Sequence, residues 1–155
     1  FMGNEIAHFR EWDETREQDW NLLEFPIHDA FHRYMKKLSE LYCSIRSLYE
    51  APYDRNAFRW LVSNDQRQCV YIYERGTGKE RIVAAFNFSN TYYKNYSFST
   101  SLPMKLTELM NSDYDLYGGS TPFKRMEYDE SINFQIDLPP LTGRLFKGDV
   151  VFLTL

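Results

Sequence analysis

The chain has 155 residues and a net charge of −4, with 43% apolar and 26% charged residues. Twelve Tyr, twelve Phe and three Trp supply ample apolar area for a core, which excludes a disordered chain. Residues 1–50 carry ten acids against six bases and the remainder is balanced, so no basic patch invites a phosphate backbone and nucleic acid is not an expected partner.

No stretch nears the roughly 20 consecutive apolar residues of a membrane span, and no charged-then-apolar leader opens the chain. No membrane partner is expected. Phe1 stands before Met2, which reads as a piece of a longer protein. Cys43 and Cys69 lie far apart in sequence. Two thiols alone make no zinc site, and a chain of this size needs no staple, so free thiols in a reducing, cytoplasmic compartment are expected. The sequons at Asn87 and Asn95 then read as chance matches.

Residues 1–25 open with Phe1-Met2-Gly3 and become acidic and aromatic, with no sustained period of 2 or 3.6. They read mostly as loop. Residues 26–50 read as one helix. Pro26 suits the first turn, and Ile27, Phe31, Tyr34, Met35, Leu38, Leu41, Tyr42, Ile45, Leu48 and Tyr49 recur at helical spacing on one face. Pro52 marks the end. From residue 53 the pattern changes to short β-rich runs between turn signals, as in an all-β sandwich. The expected strands are Ala57–Val62, Cys69–Glu74, Arg81–Asn87, Ser97–Ser99, Lys105–Leu109, Lys124–Glu127, Asn133–Leu138 and Asp149–Thr154. Ser63-Asn64-Asp65-Gln66 reads as the first turn, and Gly76-Thr77-Gly78-Lys79 as a hairpin turn.

Few residues suggest chemistry. His28 and His32 stand at i and i+4, a metal-ligand spacing. The sequence offers no third ligand, so they read as polar helix surface and no metal is expected. The carboxylates from Glu5 to Asp19 read as a solvated acidic loop, because two glycosidic carboxylates must flank the sugar about 5–10 Å apart and sequence proximity does not ensure that. Exposed Tyr and Trp offer flat apolar faces with polar rims on which sugar rings stack. Trp12, Trp20, Trp60, Tyr92, Tyr93, Tyr96 and Tyr117 are the candidates, although an aromatic in a strand usually belongs to a core. Asn111-Ser112-Asp113 with Tyr117-Gly118-Gly119-Ser120 reads as a structural turn.

Phe1-Met2-Gly3-Asn4-Glu5, Arg10-Glu11-Trp12 and Asp19-Trp20-Asn21-Leu22-Leu23 resemble the end of the barrel in 1,4-α-glucan (glycogen) branching enzymes of the α-amylase superfamily. Val83-Ala84-Ala85-Phe86-Asn87-Phe88-Ser89, Glu108-Leu109-Met110-Asn111-Ser112-Asp113 with Tyr117-Gly118-Gly119-Ser120, and Leu138-Pro139-Pro140-Leu141 resemble their C-terminal β-domain. Their order and spacing cover essentially the whole chain. The chain departs from the family where Ile6-Ala7-His8 replaces the usual Phe-Gly/Ala-Gln.

The resemblance implies a mainly β chain. Residues 1–50 would be the last strand, loop and helix of a (β/α)8 barrel, and residues 51–155 an antiparallel Greek-key sandwich. It implies a parent that forms a covalent glycosyl-enzyme and passes an α-1,4-glucan segment to a 6-hydroxyl, making α-1,6 branches in glycogen. The family's catalytic carboxylates precede Phe1, so the chain alone is expected to be inactive, with no catalytic residue and no cofactor. Glu5, Trp12 and Trp20 fall at the parent's active-site rim by family position, and Tyr92, Tyr93 and Tyr117 are possible glucan contacts. The implied partners are α-glucan (glycogen, maltooligosaccharides) and the missing barrel. Two alternatives stay open: a stand-alone carbohydrate-binding module, or the C-terminal domain of another superfamily member such as a trehalose-releasing hydrolase or a debranching enzyme.

Overall fold

The computed structural model describes residues 2–151; Phe1 and the Phe152–Thr154 end of the last expected strand lie outside them. The chain forms two compact units. One runs to Ser44 and takes in Asp113–Phe123; the other holds Ile45–Ser112 and the chain from Lys124 onward.

The first unit is built on helix α1 (Pro26–Ser44). Two short 3-10 turns, Asn4–Ile6 and Trp20–Glu24, pack on it. Met2 and Gly3 form no strand, and both have positive φ, 62° and 78°. A lone strand without neighbours leaves its ladder groups unpaired. The buried face of α1 carries His28, Ala30 and Leu41, while Ile27 and Tyr42, expected on that face, are exposed.

The two histidines are not polar surface. His28 is 7% exposed and its Nδ1 donates to the Ile6 carbonyl at 2.7 Å. His32 Nδ1 donates to the Glu5 carbonyl at 3.2 Å. Phe9 and Phe25 meet the His28 ring edge-on. The i, i+4 spacing therefore fastens the 4–6 turn to the helix by satisfying two carbonyls.

The expected single helix is broken. Ile45 is extended (φ −106°, ψ 106°) and α2 (Arg46–Tyr49) follows as one turn. The break falls where the chain leaves the first unit.

The second unit is an antiparallel sheet of six strands: β1 (Phe58–Asp65), β2 (Val70–Arg75), β3 (Glu80–Asn87), β4 (Tyr93–Asn111), β5 (Glu127–Leu138) and β6 (Thr142–Val150). Their order is β1-β2-β3-β6-β4-β5, so the last strand inserts between β3 and β4. β1 reaches Asp65, and its turn falls at residues 66–69, three residues later than the expected Ser63–Gln66. Asp65 closes it by accepting from the Gln68 and Cys69 amides. The Gly76–Lys79 hairpin forms as expected, with the Arg81 guanidinium wrapped over its carbonyls.

Three expectations about strands are corrected. Ser97–Ser99 and Lys105–Leu109 are one strand of 19 residues. Lys124–Met126 is irregular, and Glu127 and Asn133–Leu138 join in β5. β6 begins at Thr142, well before Asp149. Pro103 and two glycines concealed this. Pro103 sits at a register irregularity between Ser99 and Met104, where a missing N–H is tolerated. Gly148 and Gly143 are in-strand positions of close approach: an added Cβ would lie 2.5 Å from Met104 Sδ at Gly148 and 3.2 Å from the Phe86 ring at Gly143.

β4 folds this single sheet into two layers. Its second half pairs with β6 and its first half pairs with β5 alone. Phe98, Phe134, Ile136 and Leu138 thereby share one core with Val70, Ile72, Val83, Ala85, Met104, Leu106 and Phe146. Three polar clamps hold the layers. Ser101 N and Oγ donate to buried Glu74 at 3.0 and 2.6 Å. Tyr96 donates to Asp65 at 2.8 Å. Asn87, 1% exposed, donates from Nδ2 to the carbonyls of Thr91, Leu138 and Pro139 and accepts from Ser89. That amide is fully committed, so the sequon at Asn87 offers no free acceptor nitrogen.

On β4 and β6, Glu108 and Arg144 form a 2.6 Å ion pair with side chains 1% and 5% exposed. Arg144 also donates to the Asp137 carbonyl at 2.6 Å and lies over the Phe146 ring. Burial pulls the guanidinium pKa down, but the hydrogen bond and charge of Glu108 outweigh it, and the net shift is upward. Removing one partner of a buried pair strands the other charge. Arg144→Met is expected to cost about 3–5 kcal/mol in urea unfolding, and adding Glu108→Leu is expected to recover much of that loss.

Candidate functional site

In the first unit, the run from Gly3 to Trp20 folds around one carboxylate. Arg10 donates to Asp19 from Nε and Nη2, both at 3.0 Å. His8 Nε2 donates to Asp19 Oδ2 at 2.8 Å, and Arg10 reaches the Glu17 carbonyl at 2.6 Å. The Arg10 hydrogen bonds, with help from His8, hold the Asp19 pKa below the ordinary aspartate range. Asp13 is lowered by hydrogen bonds from the Thr15 hydroxyl and amide. The acidic loop expected to be merely solvated is thus organised. The His8 side chain is 2% exposed, and its Nδ1 and the nearby Gln18 Oε1 are buried without a hydrogen-bond partner. Gly3 makes room for both, since a Cβ there would lie 2.9 Å from each side chain.

Glu5 lies on the 4–6 turn, half-buried, its carbonyl taken by His32. Trp12 and Trp20 are exposed by 41% and 47%. Tyr117 belongs to this unit and is partly buried, its ring edge-on to Tyr34 at 5.6 Å. Burial is the main cause of its raised pKa. Its loop is the structural turn expected. Asp113 accepts from Ser120 N and Thr121 Oγ1, and a Cβ on Gly119 would come within 2.5 Å of the Asp113 backbone.

Tyr92 and Tyr93 lie in the second unit, in a groove of about 430 Å³ with Gln68, Lys94, Asn95 and Tyr96. Their hydroxyls are committed: Tyr92 donates to Asp137 at 3.1 Å and Tyr93 to the Gln68 carbonyl at 3.2 Å. The Tyr96 hydroxyl pKa is pushed up by burial and by Asp65. Tyr117 does not join this groove's lining. Among the described residues no three His, Cys, Asp or Glu side chains are grouped to hold a metal, and no helix is long and apolar enough to cross a membrane.

Sequence reasoning named Trp60 but not the surface it belongs to. On β1–β3, Phe58, Trp60, Tyr71, Tyr73, Phe86 and Phe88 form a continuous row of rings with neighbouring centroids 5.2–6.3 Å apart. The signal was present in β2, where Val70 and Ile72 point into the core and Tyr71 and Tyr73 alternate with them. Period 2 sends the tyrosines to the opposite face.

Residues 60–149 match the family model of the α-amylase C-terminal all-β domain. The chain is 32% identical over 155 residues to 1,4-α-glucan branching enzyme GlgB 1 of Rhizobium etli, covering 96% of this chain and 21% of that protein. It is 35% identical over 157 residues to the GlgB branching enzyme of Rhizobium meliloti, again covering 96% of this chain and 21% of the relative. The match to the GlgB of Oceanobacillus iheyensis is 31% over 160 residues, covering 97% of this chain and 25% of that protein. The chain therefore spans between a fifth and a quarter of these curated relatives. Among solved structures, trehalulose synthase MutB from Pseudomonas mesoacidophila matches 76% of this chain and 18% of its own, with a TM-score of 0.51 at 15% identity, a likeness of fold alone.

The lowered pKa of Asp19 has a testable sign. The carboxylate's pairing contributes stability above the ordinary aspartate pKa and is lost as pH falls through the lowered folded value. Carboxyl NMR is expected to place the Asp19 midpoint below that of a free aspartate, and Arg10→Gln to move it upward.

Proposed function

The chain belongs to the α-amylase C-terminal all-β domain family, and on that basis we propose that it is the non-catalytic C-terminal region of a 1,4-α-glucan branching enzyme. The observation that carries this reading is the match to branching enzymes along 96% of the chain at 32–35% identity. In this reading residues 1–50 complete a catalytic barrel, residues 51–155 are the β-domain, and the whole enzyme is a cytoplasmic glycosyltransferase of glycogen synthesis. Its partner is α-glucan, transferred from an α-1,4 chain to a 6-hydroxyl.

The chemistry of the first unit supports a non-catalytic role. Asp19 is committed to Arg10 and His8, and Asp13 to Thr15, so both carboxylates hold the loop in shape. Arg10 and His8 shape the loop that carries Trp12 and Trp20. Glu5, Trp12 and Trp20 would then line the rim of a site whose reacting carboxylates lie elsewhere in the enzyme. In the β-domain, the exposed ring of Tyr92 beside Tyr93 offers a glucan contact, and Tyr117 offers another in the first unit.

Two measurements test this reading. Proton NMR of amylose incubated with the chain is expected to show no new α-1,6 linkages. Calorimetric titration with maltoheptaose is expected to saturate with a Kd near or below about 1 mM, close to −4 kcal/mol. New branch points would contradict the non-catalytic role, and failure to bind would remove the glucan-handling role.

A further inference from the structure

We propose that His8 and Gln18 form a proton-operated latch on the loop between Gly3 and Trp20. A proton taken from solvent onto His8 Nδ1 turns that atom into a donor to Gln18 Oε1 and tightens the loop. The latch lies wholly within the first unit and does not depend on glucan binding.

Two buried acceptors stand beside one glycine. His8 Nε2 donates to Asp19 Oδ2, so in the neutral ring Nδ1 is left as a bare lone pair. Among the described residues it meets no donor, and neither does Gln18 Oε1. Both side chains close on Gly3. A Cβ there would lie 2.9 Å from Gln18 Oε1, and 2.9 and 3.1 Å from His8 Cβ and Cγ. Buried polar atoms without a partner are costly, and two acceptors cannot satisfy each other. A proton on Nδ1 makes one of them a donor and satisfies both.

The charges around His8 set the direction. Asp19 is the acid in contact with its ring. Hydrogen bonds from Arg10, and then from His8, hold the Asp19 pKa below the ordinary aspartate range. The carboxylate is therefore ionised where imidazoles titrate, and it faces the cation that forms. Arg10 is the opposing cation, and its guanidinium is spent on Asp19 and the Glu17 carbonyl. Asp13 is held by Thr15, and Glu11, Glu14, Arg16 and Glu17 are exposed. The 4–6 and 20–24 turns bring Glu5 and Glu24. From α1 come His28 and His32, bonded to the Ile6 and Glu5 carbonyls, and Asp29, paired with Arg33.

Proton binding thus favours the closed loop. Its contribution is present at mildly acid pH and declines as pH rises and His8 gives up the proton. It is lost again at strongly acid pH, as Asp19 protonates. The loop carries Trp12 and leads to Trp20, exposed by 41% and 47%, so the latch sets how firmly those rings are presented.

The test is an NMR titration of the whole chain from about pH 8 to about pH 5, the interval in which imidazoles titrate. The His8 ring nitrogen signals are expected to show Nδ1 gaining a proton. The His8 and Trp20 amides bond the Gly3 and Gln18 carbonyls. Their hydrogen-exchange protection is expected to rise about tenfold over the same interval, as one added charge-assisted hydrogen bond implies. Gln18→Met keeps the length and removes the acceptor, and is expected to abolish the rise. His8→Gln keeps an amide donor for Asp19 but cannot titrate, and is expected to do the same. Protection that is flat with pH in the wild-type chain, that follows the His28 or His32 ring signals instead, or that rises equally in Gln18→Met would overturn the latch. So would a His8 ring that stays unprotonated at Nδ1 throughout and accepts the Gln18 amide N–H there, since the pair would then be satisfied at every pH. If either variant fails to fold, the wild-type comparison of ring signal and protection decides by itself.

Discussion

β4 serves two layers at once, and the rest of the second unit follows from that constraint. Its 19 residues pair with β5 from Tyr93 to Thr107 but with β6 only from Met104 onward. The sheet must therefore turn back on itself near Pro103. The turn brings Phe98 and Phe134 over Val70 and Val83 and gives a single sheet the closed core of a sandwich. It also places Ser101 where buried Glu74 needs donors, and Tyr96 where Asp65 can accept. An unpaired carboxylate at 2% exposure would be costly, so the bend and the clamp are mutually dependent. With one face of β1–β3 consumed by this core, the aromatic alternates have only the opposite face left.

Much of this was legible in the residues. Alternation in Val70-Tyr71-Ile72-Tyr73 and the Gly76–Lys79 turn located β2 and β3 closely, because period 2 and glycine at positive φ are local signals. The family resemblance of Val83–Ser89 and Leu138–Leu141 has a physical basis in Asn87, whose amide joins the two segments through the Leu138 and Pro139 carbonyls. The strand ends were harder. Gly143 and Gly148 look like breakers in sequence, yet they sit inside β6 because Phe86 and Met104 cross closely over them. That reason is tertiary and leaves no mark within β6 itself.

The site was less legible than the fold. His28 and His32 looked like polar surface because the carbonyls they satisfy belong to Ile6 and Glu5, more than twenty residues away. Asp19 looked like one acid among many until Arg10 and His8 were seen to converge on it. In sequence Trp60 is one of several sugar-stacking candidates, and an aromatic in a strand usually belongs to a core. Only the burial of Ile72 and Val83 on the other face shows that it stands outside. The first unit thus spends its polar groups on holding a loop in shape, while the second presents exposed rings at Phe58, Trp60 and Phe88. That division fits the proposed reading, in which the chain handles glucan and the reacting carboxylates lie elsewhere in the enzyme.

The most direct measurement is a crystal structure of the chain grown with maltoheptaose. The account predicts ordered glucose rings on the β-domain against the exposed ring of Tyr92 beside Tyr93. Crystals grown in excess maltoheptaose that hold no ordered sugar on the chain would contradict it.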